Sequence, residues 1–406
     1  MHITFLLTQD LESPSGLGRY YPLARELAAL GNQSTIIALH SNYNNLTERD
    51  FIQDGVRVRY VAPMHVLKQE NVKSYYPPFQ LIKIVGRATW DLSKASLSST
   101  ADIIHIGKPH PMNSIAGLLS KYINGRQVYL DCDDYEAAIG HFTSSWQRRG
   151  VEFFEDWAPK RVAYTTTNTY FTQNRLMSIG IPQHKIIYLS NGVDRRRFSR
   201  ADPQAVQELQ SKLGITEENK IIAFIGSLSR PGHPVEILLK SFSTVRQVIP
   251  DAKLMIVGGG DDFQRLQKRS QDMGFGNSVI FPGRIAPEQV ANYYHVADVT
   301  VDPVHDDDAA RGRSPLKLFE SWACNVPFVS QDVGDRKILL GDPPAGILTK
   351  PGNNEALSEA IIRVLTEPNL KRELQNCGGK RVEEFYWDKL AQLMELKYLE
   401  NLPAPR

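Results

Sequence analysis

The sequence predicts an α/β protein built from two doubly wound, parallel-sheet domains. Three observations carry this. The chain has 406 residues, room for two domains of ordinary size. Short runs rich in Ile, Val and Leu, without strict alternation, suit parallel strands covered on both faces. These runs alternate with helical stretches, and the rhythm breaks and restarts near residue 220.

Taken in order, the first set of strands is expected at 3–7, 35–39, 56–61, 103–106, 127–130, 163–167 and 186–189. Leu23, Leu27 and Leu30 share a face of the first helix, and Gly31 stops it. Asn191-Gly192, the basic run Arg195 to Arg197 and Asp202-Pro203 suit an exposed connection, so the boundary is placed after residue 198. The second set is expected at 221–225, 253–257, 278–281, 298–302 and 327–330. Open α/β sheets bind ligands at the carboxyl ends of their strands, which places the site in the cleft between the domains. A last helix is expected over 387–401, with Leu390, Leu393, Leu396 and Leu399 spaced by three and Met394 and Tyr398 beside them.

Composition sets outer limits. Hydrophobic residues at 42% and charged residues at 23% exclude a disordered chain, a collagen and a coiled coil. A net charge of +2 carries no polyanion signature, so no nucleic-acid partner is expected. Cys132, Cys324 and Cys377 form no CxxC pair, which fits a reducing compartment and argues against structural zinc. The apolar run 3–7 is too short for a signal peptide, and no apolar run reaches 18 residues. A cytoplasmic location follows as an expectation. Charge is uneven, however. Residues 55–126 hold 10 basic and 3 acidic residues, mixed with Tyr75, Tyr76, Phe79 and Trp90. This stretch reads either as a surface for an anionic membrane, with the protein peripheral on its inner face, or as a solvated face.

The stretch 314–327 carries the chemistry. Ser314 is expected as an N-cap and Pro315 at the first helical position. The helix start then offers unpaired backbone N–H groups and the positive end of a dipole to a phosphate. Lys317 and Glu320 share a face: the lysine near the phosphate end, the glutamate placed to accept two adjacent hydroxyls. A surface helix with an ion pair is the alternative.

In its context this stretch resembles the carboxyl-terminal signature of the GT-B glycosyltransferases, especially glycosyltransferase family 4. The Gly loop at Ser15-Gly16-Leu17-Gly18-Arg19, Asn191-Gly192-Val193-Asp194, Ile225-Gly226-Ser227-Leu228, Gly258-Gly259-Gly260 and Phe281-Pro282-Gly283-Arg284-Ile285 follow in the family's order. The resemblance implies a GT-B fold, with 1–198 as acceptor domain, 199–385 as nucleotide-sugar domain, and 386–406 returning to the first. It implies retaining transfer of a hexose from a nucleotide-sugar, UDP-glucose being favoured, to a saccharide or lipid-linked acceptor in cell-surface polysaccharide assembly. No metal and no cofactor besides the donor substrate is expected. Glu320 would hold the ribose; Arg284 and Ile285 the base; Gly16, Leu17, Gly226 and Gly259 would line the donor. Arg313, Ser314, Pro315, Leu316 and Lys317 would meet the phosphates.

The chain departs from the family in places. A second glutamate, eight positions before Glu320, is replaced by Gly312. Backbone amides of residues 313–316, or Asp306, Asp307 and Asp308, would then meet the donor sugar. Ser227 and Pro231 stand where an Arg and a Lys are usual, so the diphosphate falls to Arg230 with Lys317, and Arg311 and Arg313 as helpers. From the first domain, Asp133, Asp134, Glu136 and His110 would face the sugar or acceptor, while His105 reads as a core residue. Asp131-Cys132-Asp133 spells a DxD, but such metal-binding pairs belong to another fold. These departures keep two alternatives open: a non-catalytic nucleotide-sugar binder, and a nucleotide-sugar epimerase.

Overall fold

The computed structural model describes all residues except 70, 71, 141, 143, 199, 200, 230, 231 and 403–406, and only the backbone of 66–69, 72–75 and 78. The first lobe contains β1 (His2–Leu7), β2 (Gln33–His40), β3 (Asp50–Gln53) and β4 (Val56–Pro63). A separate antiparallel hairpin follows, β5 (Val66–Gln69) and β6 (Val72–Tyr75). Then come β7 (Ile103–Gly107), β8 (Gln127–Cys132), β9 (Tyr164–Thr167) and β10 (Ile186–Tyr188). The eight-stranded sheet runs β10-β9-β8-β7-β1-β2-β4-β3, parallel except for β3 against β4. The second lobe has β11 (Lys220–Ile225), β12 (Ala252–Val257), β13 (Val279–Gly283), β14 (Val299–Asp302), β15 (Phe328–Gln331) and β16 (Ile347–Thr349). Its six parallel strands run β13-β12-β11-β14-β15-β16.

Each expected strand coincides with an observed one. The sequence reading missed β3, the β5–β6 hairpin and β16. β3 is an exposed edge, joined to β4 through Asp54-Gly55, both with positive φ (50° and 79°), as a tight two-residue hairpin turn requires.

Alternate residues of each strand go to opposite faces. Ile3, Phe5 and Leu7 pack into one core of the first lobe and Leu6 into the other. The second lobe is likewise covered on both sides. Strand order reverses between β1 and β7 in the first sheet and between β11 and β14 in the second. At such switch points the flanking loops diverge and open a crevice at the strands' carboxyl ends.

Two segments join the lobes. The Val193 N–H donates to the Phe385 carbonyl at 2.9 Å, and Asp194 takes two bonds from Arg25 at 2.8 and 2.9 Å. The last helix, Trp387–Asn401, packs on the first-lobe helix Tyr21–Ala29 and buries Trp387, Leu390, Ala391, Met394 and Tyr398. That spacing of three and four follows the true helical period. The expected leucine row is corrected here: Leu390 is buried, but Leu393, Leu396 and Leu399 are exposed, because a strict spacing of three drifts round the helix.

Candidate active site

The second lobe builds a cationic wall around one carboxylate. Asp302 ends β14 at the switch point and is fully buried. Lys317 Nζ and Arg336 Nη2 each lie 2.7 Å from its oxygens, and Arg313 Nη2 lies at 3.8 Å. Burial opposes ionisation of Asp302, yet the three cations hold its carboxyl well below the usual range. Burial in turn pushes Lys317 and Arg313 down. Three cations against one anion leave an excess of positive charge in a desolvated place. Arg313 Nε and Nη2, Arg336 Nε and the Ser314 hydroxyl are buried without a hydrogen-bond partner. Such orphaned donors call for a ligand or water.

The helix Leu316–Ala323 starts beside this cluster. Its cap position is Pro315, one residue later than expected, and the Ser314 hydroxyl caps nothing. Ser314 instead gives its carbonyl to Asn191 Nδ2 at 2.8 Å, tying the helix to the connection between the lobes. The first-turn N–H groups at Leu316 and Lys317 remain at the positive end of the helix. Lys317 and Glu320 do not pair: the lysine turns to Asp302, and Glu320 Oε2 accepts from the Tyr294 hydroxyl at 2.6 Å. Glu320 Oε1 makes no hydrogen bond among the described residues. Burial raises the Glu320 carboxyl.

The loops closing the crevice are tight. A Cβ on Gly16 would lie 2.1 Å from the Asp10 carbonyl oxygen, so only glycine lets the Gly16–Tyr20 turn approach; Leu17 sits in the same turn. Gly258 has φ +133°, and a Cβ there would lie 1.9 Å from the Gly226 carbonyl, bringing the loops after β11 and β12 together beside Gly259. Arg284 and Ile285 follow β13; Arg284 is exposed and Ile285 packs half-buried on the lobe's core. Arg230 lies outside the described residues.

The first lobe presents an anionic wall. Lys108, just past β7, adopts a left-handed backbone (φ 71°) and is buried. Its ammonium lies 2.7 Å from Asp134, 2.5 Å from Glu136 and 3.2 Å from Asp133. His110 bridges Thr8 Oγ1 (2.7 Å) and Glu136 Oε2 (3.3 Å). Burial pushes the Asp133 carboxyl up, and Lys108 with His110 holds Glu136 down against the same effect. Asp131, first of the DxD, is clamped by Arg19 at 2.6 and 2.8 Å and by Thr166 at 2.6 Å. His105 is a core residue: it is buried against Tyr398, and burial lowers it to about 4.

Two family models match the chain, and together they run from residue 16 to residue 381. Residues 16–197 match Glycosyltransferase Family 4 and residues 205–381 match Glycosyl transferases group 1. The chain belongs to glycosyltransferase family 4. It is 24% identical over 220 residues to a D-inositol 3-phosphate glycosyltransferase of Corynebacterium jeikeium, covering 52% of this chain and 51% of that one. It is 26% identical over 200 residues to a GDP-mannose-dependent alpha-(1-6)-phosphatidylinositol monomannoside mannosyltransferase of Mycolicibacterium smegmatis, covering 49% and 52%. The matches thus span about half the length of these relatives. Solved structures share the GT-B fold over 98% of the chain. Sucrose-phosphate synthase of Thermosynechococcus elongatus superposes with a TM-score of 0.77 at 18% identity, over 98% of its own chain. HepE of Anabaena, solved with UDP and glucose, superposes at 0.72 with 16% identity, over 99% of its chain.

Against the family pattern, Gly312 now has a physical reason. A Cβ there would meet Tyr135 Cβ of the first lobe at 2.9 Å and Phe171 at 3.4 Å, so the lobes touch where a glutamate would project. The acidic substitutes among those expected are engaged locally. Asp307 caps the helix Asp308–Arg311, and Asp306 and Asp308 pair with Arg311 at 2.9 and 3.3 Å. In this structure the acidic run and Arg311 serve local structure. Sequence reasoning missed four residues of the cleft: Asp302, Arg336, Lys108 and Arg19. Asp302 and Lys108 had a signal, since each closes or follows an expected strand at its carboxyl end.

Proposed function

We propose that the protein transfers a hexose, with retained anomeric configuration and without a metal, from a UDP-sugar to a saccharide or lipid-linked saccharide. UDP-glucose is the first donor to test, and cell-surface polysaccharide assembly the setting. One observation carries the reading: Arg313, Lys317 and Arg336 converge on Asp302 at the start of the Leu316–Ala323 helix. Breaking the anomeric C–O bond leaves negative charge on a nucleoside diphosphate, and preformed cations there stabilise it most where water is excluded. Glu320, steadied by Tyr294, takes the ribose hydroxyls through its remaining oxygen. The diphosphate role first given to Arg230 and Lys317 passes here to Arg313 and Lys317.

Retention is supported by the engagement of three cleft carboxylates, Asp302 by its cations and Asp134 and Glu136 by Lys108, which keeps them from acting as a free base or nucleophile. The acceptor oxygen then bonds to the anomeric carbon on the leaving group's own face, and the departing phosphate oxygen takes the acceptor proton. A peripheral contact with an anionic membrane belongs to the same reading. The helix Pro78–Leu97 exposes Phe79, Ile82 and Trp90 beside Lys83, Arg87 and Lys94. Among the described residues no helix is long and apolar enough to cross a membrane.

The names of the mannosyl-transferring relatives make GDP-mannose the second donor to test. Incubation of the full chain with UDP-glucose and an alkyl glycoside should release UDP and give an α-linked product by NMR. A β-linked product would refute retention. Interconverted donor sugar without acceptor would favour an epimerase, and bound but unreacted donor a non-catalytic binder.

A further inference from the structure

We propose that the carboxyl-end edge of the first sheet seats an uncharged, hydroxyl-bearing sugar ring of the acceptor and rejects a ring carrying phosphate or carboxylate there, with Lys108 as the positioning residue. This rests on the glycosyltransferase reading above and adds the chemical class of the acceptor.

The edge carries buried hydrogen-bonding capacity that the protein itself does not use. Asn168 is 1% exposed, and both its amide oxygen and its amide nitrogen lack a partner. Asp133 is 4% exposed, and its Oδ1 makes no hydrogen bond, its one ion-pair contact among the described residues being the Lys108 ammonium at 3.2 Å. Gln9 Nε2 is likewise buried and unpartnered. These groups are neighbours by register. Cys132 pairs with Thr167, so Asp133 and Asn168 follow side by side on the same face of the sheet. Gly107 pairs with both Leu7 and Asp131, which sets Lys108 between the ends of β1 and β8. The unused set contains donors (Asn168 Nδ2, Gln9 Nε2) and acceptors (Asn168 Oδ1, Asp133 Oδ1) within one row. A hydroxyl both donates and accepts, so adjacent sugar hydroxyls fit such a row. A phosphate is mainly an acceptor at neutral pH, and would leave the Asn168 amide oxygen unsatisfied.

Charge makes the same selection. Even with the Asp133 carboxyl pushed up by burial, Asp134 and Glu136 stand round the single Lys108 ammonium, so this wall repels an anion. The surplus cations are on the opposite wall, around Asp302, and Asp134 acts electrostatically on Arg313 across the cleft. An anionic group is therefore drawn to the donor side and a neutral polyol to the acceptor side. Lys108 keeps a left-handed backbone unusual for a non-glycine residue, and this delivers its ammonium to the three carboxylates. Without it they would repel one another and the row would lose its register.

The test uses the full-length protein with UDP present. Octyl glucoside, octyl galactoside and octyl mannoside, and the 6-phosphate of each, are titrated by saturation-transfer NMR and calorimetry. At least one uncharged glycoside should bind, and its 6-phosphate should bind tenfold or more weakly. Asn168→Ala should weaken glycoside binding tenfold or more while the UDP-induced thermal shift is unchanged. Lys108→Met should raise the acceptor KM with little change in donor KM, and Lys108→Arg should restore it. Tighter binding of a 6-phosphate, no binding of any uncharged glycoside, or an Asn168→Ala variant that binds as wild type would overturn the proposal. Loss of Lys108→Met to misfolding leaves the Asn168 variant as the deciding one. Because the UDP shift is read separately, a failed acceptor site is distinguished from a failed donor reading.

Discussion

Glu320 shows how one side chain ties geometry to chemistry. Its Oε2 is fixed by the Tyr294 hydroxyl at 2.6 Å, which leaves Oε1 for a ribose hydroxyl in the proposed reading. Glu320→Ala should cut the donor kcat/KM at least tenfold, a loss of about 1.4 kcal/mol or more. An unchanged value would remove Glu320 from the donor site. Glu320, Lys317 and Arg313 were legible because all three lie on one continuous stretch whose cap, dipole and spacing can be read locally. Asp302 and Arg336 were not, because they reach Lys317 only through tertiary folding, from the end of β14 and from the helix Arg336–Leu340. Gly312 was read as a missing glutamate, but the Tyr135 side chain that fills its place lies in the other lobe and leaves no mark near residue 312.

Among elements, the last helix docks on a group that titrates, His105 of β7. Tyr398 is buried against His105 of β7 and stacks edge-on with Tyr129 of β8. Burial lowers His105 to about 4, from 6.5 in an exposed histidine. Between those values the unfolded chain binds a proton that the native one refuses. The contribution of a neutral His105 is therefore complete above pH 6.5 and is lost as pH falls towards 4, by at most about 3 kcal/mol. Denaturant titrations at pH 7 and pH 5 should show wild type losing more stability than His105→Gln. Equal losses would mean that His105 is not held neutral. The helix itself follows from its apolar content, and its buried face only in part: Leu390, Met394 and Tyr398 were legible, Trp387 and Ala391 were not. The leucine row at spacing three drifts off this face, while Trp387, Ala391, Met394 and Tyr398 set the seam. Strand positions were more legible, since a buried parallel strand needs only a short apolar run. The exposed β3, with little to bury, was found by neither pattern nor composition, although Asp54-Gly55 marks its turn.

The whole molecule is a polarised cleft between two α/β lobes. Positive charge gathers on the second lobe's wall around Asp302, and negative charge on the first lobe's wall around Lys108. This is invisible in a net charge of +2, and lobe totals hide it too: residues 1–198 hold 22 basic and 17 acidic residues, the reverse of their cleft wall. The outer surface of the first lobe differs again. Phe79, Ile82 and Trp90 stand exposed among lysines and arginines on one helix, an arrangement that suits an anionic bilayer. Sedimentation with phosphatidylglycerol-containing vesicles should bind the protein, weaken as salt rises, and fall at least several-fold in a Phe79→Ser/Trp90→Ser variant. Equal binding by that variant would move the contact elsewhere. The central claim is that the cations around Asp302 hold a diphosphate, and calorimetric titration with UDP and with uridine tests it most directly. UDP should bind at least a hundredfold more tightly than uridine, with most of that advantage lost in Arg313→Ala. Equal affinity for the two ligands, or an Arg313→Ala variant that keeps the full difference, would contradict it.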